Sequence, residues 1–287
     1  MKSTGKKVFD IFNVLFMLLL LVITAYPFYY VIIASFSDPL KLASHSGILL
    51  LPLAPYEFGA YKEIFNLPLL ISGFRNTLFI VVVGTSLNIL FSSLGAFFLS
   101  QKGPMLKGTI ATMVIITMYI SGGMIPSYNL IKSLGLYNNL WSLILPGLIN
   151  ATNMIILKTA FESVPESLTE SALLDGASYI KILFRIMLPL SKASIAVLVL
   201  YYALSHWNGW FNASIYLRDQ DLFPIQLAVR RLLEEGSDTS SGDFVAVRYA
   251  ELVKYGLIVV VSTPIIVVYP FIQKYFTKGV MLGAIKS

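Results

Sequence analysis

The sequence contains no cysteine, so no disulfide, iron–sulfur cluster or thiolate zinc site enters the reading. It is also poor in charge: Asp, Glu, Lys and Arg make up 13% of 287 residues, against about 25% in a soluble domain. The two histidines, His45 and His206, lack the cysteine or acidic neighbours that a metal site requires. No G-x-x-x-x-G-K-[ST] occurs, so the chain is not expected to cradle ATP phosphates itself. No catalytic constellation is visible, and no basic run of the nucleic-acid-binding kind. The net charge of +6 suits cytoplasmic edges beside anionic lipid.

What remains is apolar, at 56% of residues. The sparse charge leaves long intervals without any ionised side chain: Ile11–Ser37, Asn76–Gln101, Gly108–Ile131, Ser133–Leu157, Ala193–Leu217 and Tyr255–Gln273. A helix needs roughly 20 apolar residues to cross the hydrocarbon core, and each interval is close to that or longer. The expectation is an all-α, polytopic membrane protein with six transmembrane helices. Lys2, Lys6 and Lys7 resemble the leader of a signal peptide. The apolar run behind them, however, exceeds the roughly 7–15 residues of such a signal, so it reads as a retained first span. No internal repeat is evident, and residues 1–287 read as a single domain.

Basic residues in short loops set orientation. They favour both termini in the cytoplasm, with Lys102, Lys107, Lys158, Lys181, Arg185 and Lys192 on the same side. Two sizeable outer loops follow. The first, about Asp38–Gly73, carries Pro39, Pro52, Pro55 and Pro68, and its apolar piece Ile64–Phe74 is too short to span, which predicts an interfacial segment. The second, about Arg218–Lys254, holds the polar run Glu234–Asp243, expected to be flexible.

The inner loop, about Glu162–Lys192, is patterned. Ser163-Val164-Pro165-Glu166 has capping-box spacing and predicts a helix start, with Leu168, Ala172 and Leu173 as its apolar side. Gly176 stands where a helix can end left-handed, and Ser178 can cap a second helix. Ile180, Leu183, Phe184 and Met187 then fall at i, i+3, i+4 and i+7, predicting one continuous apolar face. Pro189 marks the end of the segment.

Within that loop Glu170-Ser171-Ala172, three residues, Gly176, nine residues, Ile186, one residue and Leu188-Pro189 resemble the EAA motif of ATP-binding-cassette importer permeases. Only Ser171 departs from the form, in place of Ala, and it is nearly as small. Asp175-Gly176-Ala177 and Pro189-Leu190 are similar to the carbohydrate-uptake branch. So are Arg75-Asn76-Thr77, Gly135–Asn139, Leu145-Pro146 and the tail Gly279–Ser287. The chain as a whole resembles the second permease of maltose-type importers, above all members for oligosaccharides and uronate-containing glycans.

The resemblance implies a cytoplasmic coupling helix seated in a cleft of the ATPase subunit, built from Glu170, Ser171, Ala172, Asp175, Gly176, Ala177, Ile186, Leu188 and Pro189. It implies a multi-pass subunit of the bacterial cytoplasmic membrane. The expected partners are a second homologous permease, two ATPase subunits, an extracytoplasmic solute-binding protein, membrane lipid and a carbohydrate. No nucleic acid is expected as a partner. No cofactor is expected in the chain itself; ATP and Mg belong to the partner subunits.

The cluster His206, Trp207, Asn208, Trp210, Phe211 and Asn212 near the outer end of span five has two readings. One is an interfacial aromatic belt; the other is a sugar-stacking vestibule using Trp207, Asn208, Trp210 and Asn212. Asn88, Asn150 and Asn153, within spans or at their edges, fit helix packing or substrate contact equally. Alternatives for the whole chain are a permease for a non-sugar solute and a non-transporting scaffold or sensor. An ion-coupled carrier usually places ionisable residues inside its spans, and the six intervals have none.

Overall fold

The computed structural model describes residues 4–235 and 251–270, and these form helices and turns with no strand. In hydrocarbon the backbone must bond to itself, which a helix achieves within one segment. Three helices are individually long and apolar enough to cross a membrane: Gly5–Ala34, Pro68–Ser100 and Glu251–Pro270. Three further segments reach that length only as bent pairs: Lys107–Tyr119 with Met124–Ser133 (116°), Leu140–Gly147 with Ala151–Glu162 (48°), and Tyr179–Leu190 with Lys192–Trp207 (88°). Counting each bent pair as one span gives six.

The breaks follow from residues that charge counting ignores. The first falls at Ser121-Gly122-Gly123, where Gly123 takes φ 86°. The second follows Pro146-Gly147 and restarts at Asn150, whose Oδ1 accepts from Asn153 N at 3.0 Å. The third follows Pro189. The second charge-free interval also underestimates its helix, which starts at Pro68, a residue suited to a first helical turn. Ile64–Phe74 is therefore no separate interfacial segment. Ile64 is fully buried in the short helix Gly59–Asn66, and Pro68 onward is the opening of the long helix. Most of the polar run Glu234–Asp243 and the whole tail Gly279–Ser287 lie outside the described residues.

The described residues group into two compact units, one from 4–68, 229–235 and 251–264, the other from 69–228 and 265–270. In the first, the proline-rich loop is tied to the end of the first long helix. Leu49 N donates to Tyr26 Oη at 3.0 Å, Leu53 N donates to Ser37 Oγ at 3.1 Å, and Phe36 stacks on Tyr61 at 5.0 Å. The Tyr61 hydroxyl meets Ser35 Oγ at 2.7 Å, and burial pushes its pKa up.

The second unit is organised by a polar seam on Pro68–Ser100. Asn76, Thr77, Gly84, Asn88, Ser92 and Ala96 are all buried, at the spacing of one helix face. Asn76 Nδ2 donates to the carbonyls of Asp221 (2.7 Å) and Phe223 (3.2 Å), and Ile225 N donates to Thr77 Oγ1 at 2.7 Å. Asn88 Nδ2 donates to the carbonyls of Gly147 (2.7 Å) and Leu148 (3.0 Å), just where the fourth span breaks. That orientation turns Asn88 Oδ1 to His206, so the proton sits on Nε2, which donates at 2.7 Å. Tyr202 Oη accepts from Asn150 N at 3.2 Å and shares a hydrogen bond with Ser92 Oγ at 2.7 Å.

Around the seam the helix widens into a π turn at Ile80–Gly84. Gly84 is needed there, because a β-carbon would stand 2.6 Å from His206 Nε2. Gly84→Ala should therefore push the imidazole off Asn88 and lower the melting temperature of the purified chain, at a cost of about 1–3 kcal/mol. In a His206→Ala background the same change should cost far less. Strictly additive losses in that double-mutant cycle would show that the two positions do not press on each other.

Candidate functional site

Two features of the second unit stand out: the patterned loop and a polar cleft. The loop opens with the helix Glu166–Leu174. Ser163 does not cap it; its hydroxyl donates to Ala160 O at 2.7 Å, closing the preceding helix. Glu166 likewise does not reach back as a capping box would but pairs with Lys102 of the 101–107 turn, which holds that ammonium above its ordinary pKa. The inward side is Thr169 and Ala172, while Leu168 and Leu173 lie largely outward.

The helix ends as the sequence predicts. Gly176 takes φ 77°, its N–H donates to Leu173 O at 3.0 Å, and Ala177 N donates to Ala172 O at 2.9 Å. This paired closure requires a left-handed residue after the cap, and Gly supplies it without steric cost. Asp175 is the cap itself, and Ser178 Oγ accepts from Lys181 N at 3.4 Å to start the second helix.

Within this chain the second helix packs through a neighbouring stripe: Ile182, Leu183 and Met187 are buried while Ile180 and Phe184 are exposed, and a π turn spans Leu183–Met187. The buried trio packs into one cluster with Ala96, Phe97, Leu99, Met154, Leu157, Phe161 and Leu198. Ile186, Leu188, Ala172 and Ala177 lean on the same cluster. Glu170, Ser171 and Pro189 face outward, so the Ser in place of Ala at 171 carries no packing cost within the chain. Beside the loop a recess of about 510 Å³ is lined by Lys102, Lys107, Glu166, Thr169 and Glu170 among others.

The cleft, of about 900 Å³, lies where the fourth span breaks and the fifth ends. Asn150, Asn153, Tyr201, Asn208 and Asn212 line it, together with Asn88 and His206 of the seam. Two of the four residues read as a vestibule, Asn208 and Asn212, are thus brought to it; Trp207 and Trp210 are not. Trp207 instead packs against Phe74 with ring centres 6.3 Å apart, and its Nε1 is buried without a hydrogen-bond partner. Trp210 meets Phe211 edge-on at 5.6 Å and leans on the cluster around Ala213 and Phe223. Tyr201, Ser205 and Ser142 also reach the cleft, and sequence reading passed over them. Among the described residues no group of three or more His, Asp or Glu could hold a metal ion.

No protein-family model matches the chain. Curated proteins do. The chain is 38% identical over 285 residues to the polygalacturonan/rhamnogalacturonan transport system permease protein YtcP of Bacillus subtilis, covering 98% of this chain and 99% of that one. The chain belongs to the permease family of ATP-binding-cassette carbohydrate importers. A crystal structure of a bacterial ABC transporter involved in import of the acidic polysaccharide alginate matches the permease with TM-score 0.85 and 29% identity, over 96% of this chain and 99% of that one. A second alginate transporter structure, in complex with an alginate pentasaccharide-bound periplasmic protein, shares the fold at TM-score 0.54 and 18% identity, over 90% and 94% of the two chains. The permease is a membrane-embedded transport subunit and not an enzyme; ATP hydrolysis in such importers lies in partner ATPases.

For the permease, the vestibule and belt readings of Trp207 separate by experiment. Its indole N–H makes no bond in the fold, so Trp207→Phe should keep the ring packing and leave melting temperature and proteoliposome uptake within about twofold of wild type. A loss of uptake beyond tenfold at unchanged stability would make the N–H a sugar donor.

Proposed function

We propose that the permease forms half of the translocation path for a carbohydrate, in an importer completed by a second homologous permease, two ATPase subunits and an extracytoplasmic solute-binding protein. Residues 1–287 act as one permease domain, a reading supported by a relative that aligns through both compact units. Both termini lie in the cytoplasm, in keeping with the short-loop lysines. ATP and Mg are bound by the partner subunits. The cargo is an oligosaccharide, and the names of the relatives favour one that contains uronate.

The observation that carries the coupling role is the two-faced loop. Its inner side, Ile182, Leu183 and Met187, is sunk among helices of the second unit. Its outer side presents apolar groups, with Leu174 89% exposed and Ile180 and Phe184 also open, while Tyr179 keeps one side against Phe97 at 6.4 Å. Such a face is suited to burial against a partner, and a rigid helix docked on a moving partner carries that motion to the helices behind it. Glu170, Ser171, Ala172, Asp175, Gly176, Ala177, Ile186, Leu188 and Pro189 are the residues assigned to this coupling element. Asn208 and Asn212 are assigned to the sugar path, with Trp207 and Trp210 as packing beneath it.

Gly176 gives the sharpest test. A β-carbon at φ 77° costs roughly 1–2 kcal/mol, enough to loosen the turn between the loop's two helices without unfolding the bundle. In the reconstituted importer, Gly176→Ala should cut stimulation of ATP hydrolysis by loaded binding protein several-fold while basal hydrolysis persists. Gly176→Asn, which tolerates that backbone better, should fall between. Full stimulation in an assembled Gly176→Pro importer would refute the assignment.

A further inference from the structure

Among the described residues, no Lys, Arg, Asp or Glu lines the cleft, although the relatives carry acidic glycans by name. Its polar groups divide in two. Asn88, Tyr202 and the capping oxygen of Asn150 are engaged in holding the fold together. Asn153, Ser205 and Asn212, by contrast, make no side-chain hydrogen bond among the described residues that would compete with a ligand, and Asn208 spends only its Nδ2, on Leu204 O at 2.9 Å.

We propose that this chain's cleft reads the hydroxyl pattern of the glycan and not its carboxylates. The inference rests on the carbohydrate reading above and specifies which part of the sugar this chain recognises. An amide offers a donor and an acceptor side by side, as does a pair of sugar hydroxyls; a carboxylate only accepts, and an amide oxygen turned towards it would repel it. The volume of about 900 Å³ lies towards the upper end of the roughly 300–1,000 Å³ of small-ligand sites. A conduit must also release what it binds. Ion pairs in a low-dielectric cleft are far stronger than in water, and a lysine or arginine there would detain a polyanion. Uncharged amides give contacts that form and break readily along the chain.

The test uses the assembled importer in nanodiscs without binding protein, titrated with trigalacturonate and with the same trimer whose carboxylates are reduced to primary alcohols. Saturation-transfer NMR reads an apparent Kd for each. The wild type should bind the two within about threefold, with little dependence on salt. Asn153→Ala and Asn212→Ala should each weaken both by about 3–10-fold, the worth of one neutral hydrogen bond. Asn153→Asp and Asn212→Asp should weaken the uronate trimer at least fivefold more than its reduced form. Uronate binding more than tenfold tighter in the wild type, unchanged binding in the Ala variants, equal effects of Asp on both trimers, or no detectable binding of either trimer would overturn the proposal. Proteoliposome uptake by the wild-type importer tests the carbohydrate role separately. Failure to import any glycan removes that role, whereas uptake with unaltered binding in the variants removes only the hydroxyl reading.

Discussion

The carboxamide of Asn88 is the contact on which the second unit turns. A broken helix inside a membrane exposes backbone carbonyls that hydrocarbon cannot satisfy, and the fourth span breaks after Gly147. Asn88 donates to the two carbonyls freed there and accepts from His206 of the fifth span. One side chain thus satisfies a break in one helix and fixes the position of another. Individual bonds of this kind in membranes average about 0.6 kcal/mol. Their value here is geometric, since they allow the chain to be irregular where the cleft needs it.

The same helix, Pro68–Ser100, serves both ends of the unit. At Asn88 and Ser92 it holds the cleft, and at Ala96, Phe97 and Leu99 it forms the seat for Ile182, Leu183 and Met187 of the loop. Cores packed this closely respond to displacement as solid bodies. In the proposed importer, a push on the loop would therefore reach the cleft through this helix and through Lys192–Trp207, which contributes Leu198 to the seat and His206 to the cleft. The two π turns, Ile80–Gly84 and Leu183–Met187, lie on this route.

Much of this was legible in the residues. Missing charge located the apolar segments, and the Glu170–Pro189 pattern led to the family. Gly176 marks its left-handed turn by residue type and position alone. The failures have specific causes. Ser163 matched a capping box but was taken by Ala160, because the preceding helix ends there. The apolar stripe through Ile180 and Phe184 is exposed because the helix packs on this chain through Ile182, Leu183 and Met187 instead. The long helix began at Pro68 because Arg75, counted as a boundary, sits on an exposed side of a helix that continues past it. Gly84 and Ser92 went unnoticed, although with Asn88 they form a four-residue rhythm of small and polar residues that marks an inward seam.

The absence of native cysteine makes the coupling role directly measurable, since one introduced thiol has no background. Leu174→Cys places it at the most exposed apolar point of the loop. The rate of its modification by a membrane-impermeant maleimide should be compared in inside-out membranes, with the permease pair alone and with the ATPase subunits assembled. Docking predicts that the ATPases slow labelling at residue 174 by at least tenfold, while a thiol at residue 105, in the 101–107 turn, changes little. Equal rates at residue 174 with and without the ATPases would contradict a loop built to be gripped by them.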